Sequence, residues 1–139
     1  MTLRTEPATK EGLARLTEFF SSWAGDQGLD LQLRGRAELI IEELLVNMVS
    51  HAFAETGGEM GIDCRMDGSR LHLRVMDNGS PFDPTLQPAP DLTLSLEDRT
   101  AGGLGIFLVL KMADTVSYTR QGSLNILDIQ MNHPGKEGP

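Results

Sequence analysis

The chain has a single cysteine, Cys64, so it cannot close an internal disulfide, and it has no cysteine pair to hold zinc or run thiol exchange. One isolated thiol suits a reducing compartment, and a cytoplasmic location is expected. No stretch approaches the roughly 20 apolar residues that a membrane-spanning helix needs. The opening Met1-Thr2-Leu3-Arg4-Thr5-Glu6-Pro7 lacks the apolar core of a signal peptide, so no membrane partner is expected. Basic charge is scarce as well. Twelve Lys and Arg stand against 20 Asp and Glu, a formal net charge of -8 that repels phosphate backbones, and no basic face offsets it. Direct binding to nucleic acid is therefore not expected. Two familiar phosphate signatures are also missing: no G-x-G-x-x-G follows a strand, and no Walker A lysine follows the glycines described below.

What is present is enough for one domain. At 139 residues and 40% hydrophobic content, the chain can bury a core without staples. Residues 1–132 are expected to form that domain and 133–139 a disordered tail. From Pro7 to Gly28, Leu13, Leu16, Phe19, Phe20 and Trp23 recur at three- and four-residue spacing, which predicts an amphipathic helix closed by Gly25 or Gly28. A second helix is predicted from about Leu33 to Ala54, stopped by Gly57-Gly58. Glu59–Asp67 and Arg70–Asp77 alternate as two strands about an Asp67-Gly68-Ser69 turn.

Gly79 to Gly103 holds Pro81, Pro84, Pro88 and Pro90 and reads as a long loop, with a short helical turn near Leu94. Gly105–Asp114 predicts a third helix, and Thr115–Arg120 with Leu124–Met131 two more strands around Gln121-Gly122-Ser123. Helices precede strands instead of alternating with them, and a short edge strand can come first. The class expected is α+β: a two-layer α/β sandwich, with helices on one face of a mostly antiparallel mixed sheet.

On a helical wheel, Arg36, Glu43, Asn47, Ser50 and His51 of the second helix fall within roughly 100° of one another. Most of the remaining circumference is apolar, interrupted by Glu38 and Glu42, so the helix is expected to be largely buried with one polar seam. A buried carboxylate must be paired, hydrogen-bonded or bound to a cation. Glu43 and Asn47 stand one turn apart. An amide oxygen there can coordinate Mg²⁺ while the carboxylate addresses a hydroxyl beside a γ-phosphate. On the helix alone, a solvated stripe in which Glu43 pairs with Arg36 stays equally open. His51 is carried as a nucleotide-site candidate, although a lone histidine near a helix end is more often a cap or a satisfied hydrogen-bonder.

Two glycine elements follow. Leu71, Leu73 and Val75 alternate and stop at Asp77-Asn78-Gly79-Ser80-Pro81, which puts a carboxylate at a strand end where an exocyclic amine can meet it. An ordinary strand-end turn uses the same residue types. Gly102-Gly103-Leu104-Gly105 opens into the apolar Ile106-Phe107-Leu108-Val109-Leu110, so backbone N–H groups at a helix start face the loop, an arrangement suited to phosphate. A hinge before a core helix explains these glycines as well.

In this order and spacing the three elements resemble the GHKL superfamily, which shares the Bergerat ATP-binding fold. The short chain, Asp77-Asn78-Gly79-Ser80-Pro81-Phe82-Asp83-Pro84 and Glu97-Asp98-Arg99-Thr100-Ala101-Gly102-Gly103-Leu104-Gly105-Ile106 are most similar to the bacterial anti-sigma factor serine kinases. The likeness covers about residues 3 to 131. It implies ATP and Mg²⁺ as ligands, Glu43 as general base for a serine hydroxyl and Asn47 as the Mg²⁺ ligand.

It also implies that Asp77 contacts the adenine amine, that Gly79 lets the backbone approach the base, and that Gly102, Gly103, Leu104 and Gly105 cradle phosphates. A lid over 82–101 would carry Arg99 to the γ-phosphate. The partners implied are a STAS-domain anti-sigma-factor antagonist, a sigma factor and a second copy of the chain. Two alternatives are a non-catalytic docking module and a detached histidine kinase catalytic domain. The last strand departs from the family by offering Asp128 where a threonine near the nucleotide is usual, and an acid there would oppose phosphate.

Overall fold

The computed structural model describes residues 2–52, 57–86 and 103–132, and for residues 51, 52, 103, 104, 107 and 108 it describes the backbone alone. The order is β1 (Thr2–Pro7), α1 (Lys10–Gln27), α2 (Leu31–Asn47), β2 (Glu59–Asp67), β3 (Arg70–Asp77), α3 (Gly103–Leu110), β4 (Thr115–Gln121) and β5 (Leu124–Asn132). The strands form one sheet in the order β1-β2-β3-β5-β4, and each pairing is antiparallel. The α+β sandwich is as expected, but the parallel component implied by a mixed sheet is absent among the described residues.

Both hairpins are set by Gly-Ser pairs. Gly68 and Gly122 take positive φ (63° and 60°) as first residue of two-residue turns, where a Cβ would be strained, and the turns fix the registers Asp67↔Arg70 and Gln121↔Leu124. Pro7 ends an edge strand instead of opening the first helix as expected, and its missing N–H is harmless at an edge. Thr9 caps α1 by accepting from the Gly12 N–H at 3.0 Å, and Gly28 closes it in the left-handed region. Asp30 caps α2 by accepting from the N–H groups of Gln32 and Leu33.

Register sorts the sheet into two faces. Met60, Ile62 and Cys64 of β2, Leu71, Leu73 and Val75 of β3, and Leu127, Ile129 and Met131 of β5 share one face, and all are buried. The helices cover that face with Leu16 and Phe20 of α1 and Leu33, Ala37, Ile40, Ile41, Leu44 and Leu45 of α2. Full burial of one such aliphatic side chain contributes about 1.5–3 kcal/mol. Cys64 lies in this core, and burial, reinforced by the neighbouring Asp63 charge, pushes its thiol pKa up to about 12. It is inert packing.

The second helix departs from expectation twice. Regular α geometry ends at Asn47, and the chain continues as a wider π-type turn over Met48–Ala52, while Phe53 and Ala54 lie outside the described residues. Leu39 and Val46, placed on the apolar circumference by the wheel, are each 42% exposed. The helix is buried on one side only. Among the described residues no helix is long and apolar enough to cross a membrane.

Candidate nucleotide site

Asp77 is the last residue of β3 and lies on the helix-covered face, because it alternates with Leu73 and Val75. It is only 6% exposed. Its Oδ1 accepts from the Gly79 N–H at 2.8 Å, an Asx turn that bends the chain out of the strand. The same oxygen accepts from Nδ2 of Asn125 at 2.9 Å. Asn125 faces Asp77 across the β3–β5 pair and is equally buried. Its Nδ2 also donates to the Ser80 carbonyl at 2.9 Å, while its Oδ1 accepts from the Tyr118 hydroxyl and the Phe82 N–H. Arg120 of β4 donates to the Gly79 carbonyl at 2.8 Å, and Asn78 Oδ1 accepts from the Glu59 N–H at 2.9 Å. The glycine at 79 is buried in this turn without a positive φ.

Sequence reasoning missed Asn125. Its signal was available: a polar residue in the inward register of an otherwise apolar strand, opposite Asp77. The residue singled out instead, Asp128, points the other way. It lies on the uncovered face opposite Arg74, whose Nε and Nη2 donate to its two carboxylate oxygens at 2.8 and 3.3 Å. That bond raises the Arg74 pKa above its ordinary value. Asp128 therefore does not oppose phosphate on the covered side. Strand parity explains the difference, because a shift of three residues from Asn125 to Asp128 reverses the face.

Glu43 and Asn47 lie one turn apart on α2 and are both half-buried, with Arg36 and Ser50 on the same seam. Among the described residues the Glu43 carboxylate makes no ion pair with Arg36, so the stripe is not held by the pairing that the helix alone left open. Its neighbour is Gly105. A Cβ built on Gly105 would collide with Oε2 of Glu43 and lie 3.2 Å from its Cδ. The first turn of α3 thus passes directly over the carboxylate, and a side chain at 105 would have to push it aside.

Gly103, Leu104 and Gly105 all belong to α3, two residues earlier than the predicted start. Gly102 and Arg99 lie outside the described residues, as do most of the proposed lid, the turn expected near Leu94 and the tail 133–139, and the His51 side chain is likewise not described. The structure thus brings Glu43 to Gly105 and Asp77 to Asn125, both pairs on the helix-covered side of the sheet.

The model of the family described as histidine kinase-like ATPase domain matches residues 6–131. The chain is 35% identical over 101 residues to serine/threonine-protein kinase BtrW of Bordetella bronchiseptica, covering 70% of each chain. It is 33% identical to serine-protein kinase RsbW of Halalkalibacterium halodurans, covering 81% of this chain and 71% of that one. The RsbW of Listeria monocytogenes is 31% identical, with 79% and 73% covered.

Among solved structures, histidine kinase AdeS of Acinetobacter baumannii superposes with a TM-score of 0.53 at 17% identity, over 97% of this chain and 70% of that one. The catalytic domain of histidine kinase ThkA gives 0.53 at 15% identity, over 96% and 98%. These two speak for the fold alone. By its family match and its kinase relatives, the chain belongs to the histidine kinase-like ATPase domain family.

Proposed function

We propose that the protein is a cytoplasmic, ATP- and Mg²⁺-dependent serine/threonine protein kinase acting as an anti-sigma factor. Its substrate would be a STAS-domain antagonist, with a sigma factor held by the same chain, as a homodimer, when that antagonist is unavailable for binding. The single observation that carries the reading is the packing of Gly105 against the carboxylate of Glu43, one turn from Asn47. It brings the first turn of α3 to the acid, one helical turn from the amide. The serine/threonine-protein kinase names of the relatives support the reaction class.

In this reading Asp77 receives the adenine amine, held in place by Gly79 and Asn125. Backbone N–H groups at the start of α3 face the phosphates. Glu43 accepts the proton of the acceptor hydroxyl as that oxygen forms its bond to the γ-phosphorus, the bond from phosphorus to the β–γ bridging oxygen breaks, and ADP leaves. Asn47 supplies a neutral oxygen of the kind that Mg²⁺ takes alongside phosphate and water, and the ion when bound neutralises developing phosphate charge. Arg99 and His51 are assigned supporting contacts to the nucleotide.

The test combines two variants. Glu43→Gln should keep ATP affinity within about threefold and lower phosphotransfer by about 10²–10⁴-fold, the range for loss of a general base. Asn47→Ala should weaken ATP binding only when Mg²⁺ is present, as read by calorimetry with and without chelator. Transfer at the wild-type rate in Glu43→Gln removes the base assignment. Phosphoserine or phosphothreonine on the acceptor supports this reading over phosphohistidine chemistry.

A further inference from the structure

Three large apolar side chains stand exposed on α2: Leu31 at 80%, and Leu39 and Val46 at 42% each. Single exposed apolar residues are ordinary. The placement of two of these is not, because Leu39, Glu43 and Val46 follow the i, i+4, i+7 spacing of one helix face. Leu39 lies about 6 Å and Val46 about 4.5 Å from Glu43 along the helix axis, at 1.5 Å per residue. Glu42 is exposed in the same arc. On its other side Glu43 is closed off by Gly105 of α3.

We propose that Leu39 and Val46 form the docking strip for the protein segment that carries the acceptor hydroxyl, and that they select a serine or threonine flanked by apolar residues. The proposal rests on Glu43 being the base. A hydroxyl within hydrogen-bond reach of that carboxylate must bring its main chain across the open side of α2, since α3 covers the other. An extended segment advances about 3.3 Å per residue and turns every second side chain to the same face, so the side chains two positions either side of the acceptor fall over Leu39 and Val46. The exposed Glu42, in a chain of net charge -8, disfavours acidic residues in the same segment and favours lysine or arginine. The strip fits an apolar, acid-free acceptor loop.

The probe is the set of STAS-domain proteins encoded in the same genome. Each is incubated with labelled ATP and Mg²⁺ for transfer, and titrated into the protein with ADP for binding. Leu39→Gln and Val46→Gln, which add no charge near the nucleotide, are expected to raise KM for the acceptor at least tenfold. They should leave kcat within threefold and ATP affinity unchanged. Leu39→Met should restore wild-type KM, and Leu31→Gln, about 18 Å along the axis from Glu43, should not change it.

Unchanged KM in both strip variants overturns the proposal, as does an equal rise in Leu31→Gln. If the wild type labels no acceptor, the kinase reading fails, and the binding titration decides the strip by itself. Binding weakened tenfold by Leu39→Gln keeps it, and equal or absent binding overturns it.

Discussion

At the end of β3 the polar groups are joined to one another, whereas Glu43 and Asn47 on α2 have no side-chain partner among the described residues. Asp77 and Asn125 are 6% exposed and share hydrogen bonds with Gly79, Ser80, Phe82 and Tyr118. Glu43 and Asn47 are half-buried, and among the described residues neither side chain is tied by a hydrogen bond or ion pair. The first arrangement fixes a shape before any ligand arrives. The second leaves its oxygens free for what binds there. In a nucleotide site that division is sensible: the base is a rigid planar group recognised by shape and hydrogen bonds, while the phosphate end must accommodate metal, a transferring group and an acceptor in turn.

The sharpest way to break the comparison is to disturb the open end without touching the fold. Gly105→Ala places a methyl group against Oε2 of Glu43, and since that atom ends a flexible side chain, the carboxylate can yield. Alanine is also the better helix former by about 0.5–1 kcal/mol. Stability is therefore expected to stay level or rise, while phosphotransfer falls by about 10²-fold, the cost of displacing a catalytic group by about 1 Å. Thermal unfolding and single-turnover transfer on one preparation check both halves. A destabilised variant, or one that transfers at the wild-type rate, would show that Gly105 does not set the position of Glu43.

At the closed end the expected effect is divided differently. Asn125→Ala leaves the Tyr118 hydroxyl, the Ser80 carbonyl and the Phe82 N–H without their partner and removes one donor to Asp77. Of these contacts only the one to Asp77 is buried, and the other three are part-buried and open to water that can replace the lost partner. A loss of about 1–2 kcal/mol in urea unfolding is expected, of the order of one unmade buried hydrogen bond, together with roughly tenfold weaker ATP binding. Weaker binding at unchanged stability would mean that Asn125 contacts the nucleotide and does not support the turn.

The two ends also differed in how far the sequence announced them. Strand limits at Glu59–Asp67 and Arg70–Asp77 were legible because alternation and Gly-Ser turns act over a few residues. Glu43 and Asn47 were legible because helical periodicity places them on one seam. Asn125 was not, since its role depends on which residue of a strand distant in sequence falls opposite it, and register is a property of the assembled sheet. The same cause misplaced Asp128. Burial of Leu39 and Val46 was overestimated because a wheel gives the arc that is apolar, not the arc that a neighbour covers. Pro7 was drawn into the first helix for want of a local signal that β2 would pair with residues 2–7.

The smallest expected effect belongs to neither end and shows whether the sheet separates them from its other face. His72 of β3 alternates with Asp77's inward row and lies on the uncovered side beside Arg65 and Asp67. Burial, followed by the Arg65 charge, lowers its pKa below the ordinary histidine value. The unfolded chain, with the ordinary value near 6.5, then takes up the proton first as pH falls. Stability from the neutral ring is present above that pH and declines as pH drops through the unfolded value toward the folded one. Urea midpoints at pH 7.5 and 5.5 should therefore differ more in the wild type than in His72→Asn, which carries no titrating ring. ATP affinity at either pH should be the same in both proteins, because His72 faces away from Asp77 and Asn125. An affinity that follows His72 would mean that protonation on the uncovered face is transmitted through β3 to the turn that ends it, and the closed end would no longer be a shape fixed in advance.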